Sequence, residues 1–104
     1  MIRGTTPIME LKIPGYDLRG CDIIVSIRNK AKNMNKTEAD MDVAYEDGAT
    51  TLTLLLTQEE TLAFAWGNAE IQVNWLDGNQ KRRATEIAKV FIAQNLYSKV
   101  MEHD

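Results

Sequence analysis

A single cysteine in 104 residues leaves this chain without an internal disulfide, so its stability has to come from packing and hydrogen bonding. Histidine also occurs once, as His103 beside the C-terminal residue, where a chain usually frays. No apolar run approaches the ~20 residues of a membrane span. Met1 to Gly20 has no hydrophobic core of a secretory signal, so synthesis and assembly in the cytoplasm are expected. Positive charge is not in excess either. The formal net charge is −3 and the sequence pI about 5.1, which disfavours non-specific binding to nucleic acid or to an anionic membrane. No internal repeat and no low-complexity segment is visible. The length predicts a single domain over residues 1–104, and a chain of this size buries roughly 65% of its unfolded surface, enough for a core without cross-links.

The most informative stretch is Ala69 to Ile92. Ala69, Ile71, Val73 and Trp75 alternate with Glu70, Gln72 and Asn74, the period of two that marks a strand with one buried face. Asp77-Gly78 follows and predicts a hairpin turn, because Gly supplies a positive φ at little cost. Lys81 to Ile92 would be the returning arm. Ala84, Ile87, Ala88, Phe91, Ile92, Leu96 and Val100 also fit helical spacing, and Ala, Lys and Gln favour helix. Against helix stand the preceding turn, the missing N-cap and the β-favouring run Val90-Phe91-Ile92. The reading is strand to about Ile92 and then a short irregular or helical tail to Met101; a C-terminal helix over about 82–101 is the alternative.

The other segments repeat the alternation. Pro7 holds the chain extended at the entry to a strand over Ile8 to Ile13, which Pro14-Gly15 ends. After a turn through Tyr16 to Gly20, Cys21, Ile23, Val25 and Ile27 form the apolar side of a second strand. Arg28 to Lys36, rich in Lys and Asn and without an apolar period, predicts a mobile loop. A third strand over Ala39 to Glu46 would turn Ala39, Met41, Val43 and Tyr45 inward and Glu38, Asp40 and Asp42 outward. Asp47-Gly48 then predicts a hairpin into Thr50 to Leu56, with Leu52, Leu54 and Leu56 facing the core. Thr57-Gln58-Glu59-Glu60 fits a capping box and should start a short helical turn over about 57–64, with Leu62 and Phe64 plugging one end of the core. Six or seven short strands with glycine turns predict an all-β fold, an antiparallel β-sandwich; α+β is the class if the C-terminal helix forms.

The residues of types that can carry chemistry have simpler readings. Cys21 lacks a base nearby in sequence and lies in phase with Ile23 and Val25, so it reads as a buried structural thiol. Glu59 and Glu60 would point about 100° apart on a helix, and Glu60 is already the capping residue. Asp40 and Asp42 share a strand face but lack the further oxygen ligands a hard cation needs. Lys81-Arg82-Arg83 and the Arg28 to Lys36 stretch are basic clusters without a flanking aromatic platform; protection of sheet edges is their commoner use. Trp75 belongs to the core. Trp66, in the turn before the central strand, is read as half exposed, either an end-cap or an anchor for a partner. No catalytic, metal-ligating or cofactor-binding residue is predicted.

Three blocks together resemble a family of small proteins encoded in phages and prophages of Gram-positive (Firmicutes) bacteria. Its members open with a Met-Ile-Arg-Gly-Thr-Thr-Pro lead, here Met1 to Pro7 unchanged. They carry a Leu-Thr-Gln-Glu-Glu/Asp-Thr-Leu-x-Phe block, here Leu56 to Phe64, then a Gly before a strand of Ile-Gln-Val type, here Gly67 and Ile71-Gln72-Val73. A turn at Asp77-Gly78 and an apolar tail through Ile92, Leu96, Val100 and Met101 complete the pattern, which spans nearly the whole chain. The resemblance implies an immunoglobulin-like β-sandwich similar to the N-terminal domain of upper baseplate proteins in lactococcal-type phages. It implies no reaction. The role expected from it is a non-enzymatic phage or prophage structural protein, a tail- or baseplate-associated assembly module; a soluble adaptor or regulator that stays out of the particle is the alternative. Partners would be phage structural proteins or further copies of the chain, with no nucleic acid and no membrane. The host cytoplasm during assembly, and the virion for a particle component, are the implied locations. Ile2, Arg3, Thr5 and Trp66 are the candidate partner-binding residues, on the expectation that the polar lead over Met1 to Thr6 is mobile alone and orders on a partner.

Overall fold

The structure, a computed structural model, describes residues 1–30 and 32–103. Its strands are β1 (Ile8–Pro14), β2 (Asp22–Asn29), β3 (Lys32–Thr37), β4 (Met41–Glu46), β5 (Ala49–Leu55), β6 (Gly67–Leu76), β7 (Arg82–Ala84) and β8 (Ala88–Ile92). A 3-10 turn over Glu38–Asp40 and a short helix, α1 (Gln58–Leu62), interrupt them. All the strand pairs are antiparallel, and they form two sheets: β1-β5-β4, and β3-β2-β6 with β7 and β8 both on the far side of β6. Ile13, Leu52 and Leu54 of the first sheet pack against Ile23, Val25, Ile27, Ala69, Ile71, Val73 and Trp75 of the second, while Leu18, Leu56, Phe64 and Ile92 join the same core. The fold is the all-β sandwich that the alternation predicts, because each strand buries one face and each sheet needs a second to cover it.

The connectivity has an immunoglobulin-like division. β1, β5 and β4 occupy the places of strands B, E and D, and β3, β2, β6 and the β7–β8 arm those of C′, C, F and G. The lead supplies one further pairing, a parallel bridge from Ile2 to Ala93 just beyond β8.

The returning arm is strand rather than helix, which overturns the alternative of a helix over 82–101. Ala84 stands opposite Asn74 and Ala88 opposite Ile71, so four steps along the arm match three along β6. The extra residue is a β-bulge within Thr85 to Ile87. Thr85 bridges the break: its N–H donates to the Val73 carbonyl at 2.9 Å, and its hydroxyl accepts from the Val73 N–H at 3.1 Å. The bulge also explains why the arm reads as helical, since it shifts the inward positions by one and breaks the period of two.

Three expectations need correction. The stretch Arg28 to Lys36, expected as a mobile loop, instead carries the end of β2, at Arg28 and Asn29, and all of β3 but Thr37, with β3 paired to β2 from Asn29↔Lys32 to Ile24↔Thr37. β3 lies at the sheet's edge, and its inward positions are Met34 and Lys36, whose ammonium is drawn in by the Glu60 carboxylate. Backbone pairing therefore decides here against composition. Secondly, β4 begins at Met41, not Ala39. Glu38–Asp40 forms a tight turn instead, in which the Asp40 carboxylate accepts from the Thr37 N–H at 3.2 Å. Glu38 turns back to accept from the Ile23 N–H at 3.2 Å, and Ala39 is exposed.

The third concerns the turns. Asp47 and Gly48 adopt φ 53° and 78° between paired Glu46 and Ala49, the expected two-residue hairpin. At Asp77-Gly78 the loop is wider. The Asp77 N–H donates to the Lys81 carbonyl at 3.0 Å, and the left-handed position falls on Gln80, with φ 62°. The Asp77 carboxylate takes the work expected of glycine, accepting from the N–H groups of Asn79 and Lys81 at 2.9 and 3.0 Å. A side chain at positive φ costs about 1–2 kcal/mol. Gln80→Gly should therefore raise the stability by about 1 kcal/mol, offset in part by its freer unfolded chain; chemical denaturation measures it, and a loss of stability would contradict the geometry.

Candidate interaction surfaces

The lead is tied to the body of the protein, contrary to the expected mobility. The Ala93 N–H donates to the Met1 carbonyl at 2.6 Å and the Arg3 N–H to the Ala93 carbonyl at 3.0 Å. The Met1 ammonium reaches the Phe91 carbonyl at 3.0 Å. Arg3 turns its guanidinium onto the end of α1, donating to the carbonyls of Leu62, at 2.8 Å, and Phe64. The Leu62 carbonyl is one of the acceptors a helix leaves unsatisfied at its C-terminus, and a cation suits that end. The buried hydroxyl of Thr61 accepts from the Gly4 N–H at 2.9 Å and donates to the Thr5 carbonyl at 2.8 Å. Gly4 has φ 81°, and a Cβ there would stand 3.2 Å from Leu62 Cδ2, so the bend in the lead requires glycine.

Of the four candidate partner residues, Arg3 and Thr5 therefore have polar groups engaged within the chain, Thr5 Oγ1 donating to the Ile2 carbonyl at 2.6 Å. Ile2 and Trp66 are exposed, at 48% and 55%. Trp66 lies under the Lys30 ammonium, 5.4 Å from its ring centroid. Beyond Ile92 the tail crosses α1, where the Gln58 side-chain amide pairs with both backbone groups of Met101 at 2.8 and 3.1 Å. Leu96, Tyr97 and Met101 of that tail are exposed, as is Phe91 on the outer face of β8.

No protein-family model matches the chain, and no curated protein matches it significantly. No helix among the described residues is long and apolar enough to cross a membrane.

The titratable groups whose values are shifted make contacts within the fold. The Cys21 thiol is half-buried and pushed up from its ordinary value, first by burial and then by Asp77, Asp17 and Asp22; that favours the thiol over the nucleophilic thiolate. Glu60 is held below the usual carboxylate range. Its burial acts against the charge, but the Lys36 ammonium and the Thr57 N–H outweigh it. The capping box forms as expected, with the Thr57 N–H donating to Glu60 at 2.9 Å and the Glu60 N–H to the Thr57 hydroxyl at 3.2 Å. Arg19 lowers Asp17 and Arg28 lowers Glu70 through direct hydrogen bonds, and Asp77 is lowered by its turn amides. A groove of about 480 Å³ on the outer face of the larger sheet is lined by Ile24, Asn74 and Leu76 together with Asp22, Glu38 and Arg82.

The strand edges were not legible in the sequence. β1 and β4 flank β5, and β3 ends the larger sheet, so each presents one row of backbone groups outward. On β1 the Pro7 carbonyl accepts from the Leu56 N–H, and the Gly15 N–H donates to the Gly48 carbonyl. Alternation then assigns Met9, Leu11 and Ile13 to bonding with β5 and leaves Ile8, Glu10 and Lys12 facing away from the sheet.

Proposed function

We propose that the chain is a non-enzymatic structural protein of a phage or prophage, an assembly module that joins tail or baseplate components through its strand edges. The observation that supports this reading is the outward row of backbone groups on β1, on a sheet whose two edges carry no further strand among the described residues. A partner strand added to such an edge gains main-chain hydrogen bonds without reorganising the core. The lead and the Leu56 to Phe64 block, which carry the resemblance to phage proteins, meet each other at Thr61 and Arg3.

The test is mass spectrometry of particles purified from an induced culture of the strain that carries the gene. The chain should be present at a stoichiometry comparable to known tail components. Its absence from particles, with a protein partner captured from the same cells, would favour the soluble adaptor instead.

A further inference from the structure

We propose that β1 is a self-recognition edge, on which a second copy of the chain pairs antiparallel about a two-fold axis at Leu11. The inference rests on the assembly-module reading in taking a strand edge as the working part, and it names the partner.

Three observations on β1 point to it. The first is incomplete burial. Leu11 and Met9 face the core and stand opposite Leu52 and Leu54 of β5, yet those leucines are fully buried while Met9 and Leu11 are only half-buried. β5 flanks β1 on one side, and the other side has no strand among the described residues. A strand laid there would cover both side chains.

The second is hydrogen bonding. The outward groups belong to Ile8, Glu10 and Lys12, with Pro14 at the end, where a missing N–H is tolerated on an edge. Two β1 strands that cross at Leu11 pair Glu10 with Lys12 of the second copy and Ile8 with its Pro14. Every outward N–H then has an acceptor: Glu10 and Lys12 exchange bonds, and Ile8 donates to the Pro14 carbonyl.

The third is charge, and it selects the register. Among the described residues, neither Glu10 nor Lys12 enters an ion pair within the chain, and both are exposed on the same face of β1. In the Leu11-centred register each Glu10 lies opposite a Lys12, twice across the two-fold axis. Slipping two residues either way puts Glu10 against Glu10 or Lys12 against Lys12, which is unfavourable for directly opposed side chains. The β4 edge has no such match. Its exposed Asp42 and Glu46 would meet carboxylates in the Asp42-centred and Ala44-centred pairings.

The product is a continuous sheet of six strands, β4-β5-β1 followed by the same three of the second copy. Seven residues on each side make a small interface, so the association should be weak. Sedimentation equilibrium on the full chain between about 10 µM and about 1 mM, the range for weak pairing, should show a species of twice 11.8 kDa.

Glu10→Lys and Lys12→Glu should each weaken it roughly tenfold or more, since each converts both opposed pairs to like charge. An equimolar mixture of the two variants restores opposite charges at both pairs and should recover the dimer, as should the double variant E10K/K12E. Both sites are exposed, and unchanged thermal unfolding checks that the fold is intact. A wild-type chain monomeric throughout the range, or a dimer indifferent to both single swaps, overturns the proposal. A monomer that is nonetheless present in particles would leave the assembly-module reading standing while removing this one; a dimer absent from particles would do the reverse.

Discussion

Replacing Phe64 by Ala is expected to be the most damaging single change among those considered, costing about 3–5 kcal/mol. Phe64 is the largest fully buried side chain, at 1% exposure. It follows α1 and joins the core cluster beside Leu56 and Ile92. The cavity could not close easily, because the backbone around it is pinned: Arg3 bonds to the Phe64 carbonyl, and the next residue's N–H is bonded to Asn29. For a domain of this size the loss corresponds to a fall of roughly 15–30 °C in the unfolding midpoint. Thermal unfolding followed by circular dichroism measures it. The control is Trp66→Ala, a larger truncation at an exposed position; a fall no greater than the control's would refute the packing argument.

Asn29→Ala comes next, and its effect is of a different kind. Asn29 is 1% exposed. Its side-chain amide donates to the Asn68 carbonyl at 3.0 Å and accepts from the Ala65 N–H at 2.8 Å. Ala65 lies in the link from α1 to β6, and Asn68 lies at the start of β6 past the last pair with β2, Arg28↔Glu70, so neither group is met by the β2 ladder. Truncation strands one donor and one acceptor, at about 1–3 kcal/mol for each buried group, or about 3 kcal/mol in all after water re-enters part of the gap. Asn33→Ala, on the exposed face of β3, should change the midpoint by little. Equal effects at the two asparagines would show that Asn29 is not a clamp.

The same device recurs at the two buried threonines. Thr50 accepts from the Leu18 N–H at 3.0 Å and donates to the Tyr16 carbonyl at 2.7 Å, fixing the turn between β1 and β2. Thr61 does likewise for the lead. These three are the buried polar residues among those described, and each holds an irregular segment against the sandwich. The core is thus apolar where strands meet strands and polar only where loops need anchoring. This follows from the requirement that buried backbone groups be paired.

That division also explains what the sequence revealed. Strands with one buried face, β1, β2, β5 and β6, announce themselves through alternation, because the physics that buries them is the physics that spaces their apolar residues. The capping box at Thr57 was legible for a similar reason: its donors and acceptors are neighbours in sequence. β3 was not, since an edge strand with Met34 and Lys36 as its inward side chains carries little apolar signal. The bulge at Thr85 to Ile87 hid the last strand behind a helix-like spacing. Turn chemistry was read correctly at Asp47-Gly48 but not at Asp77-Gly78, where the acidic side chain rather than the glycine shapes the loop. The clamps at Asn29, Thr50 and Thr61 and the anchoring of Arg3 join residues distant in sequence, most of them by more than thirty positions. So does the open edge of β1, which depends on which strand ends up outermost.

The short run from Met1 to Arg3 lies alongside Ala93 in the same direction, not folded back upon it. Tension applied between the two ends of the molecule would slide these segments past one another and load their bonds together, whereas a hairpin would unzip one rung at a time. The short lead would therefore yield only when its bonds to Ala93 break together.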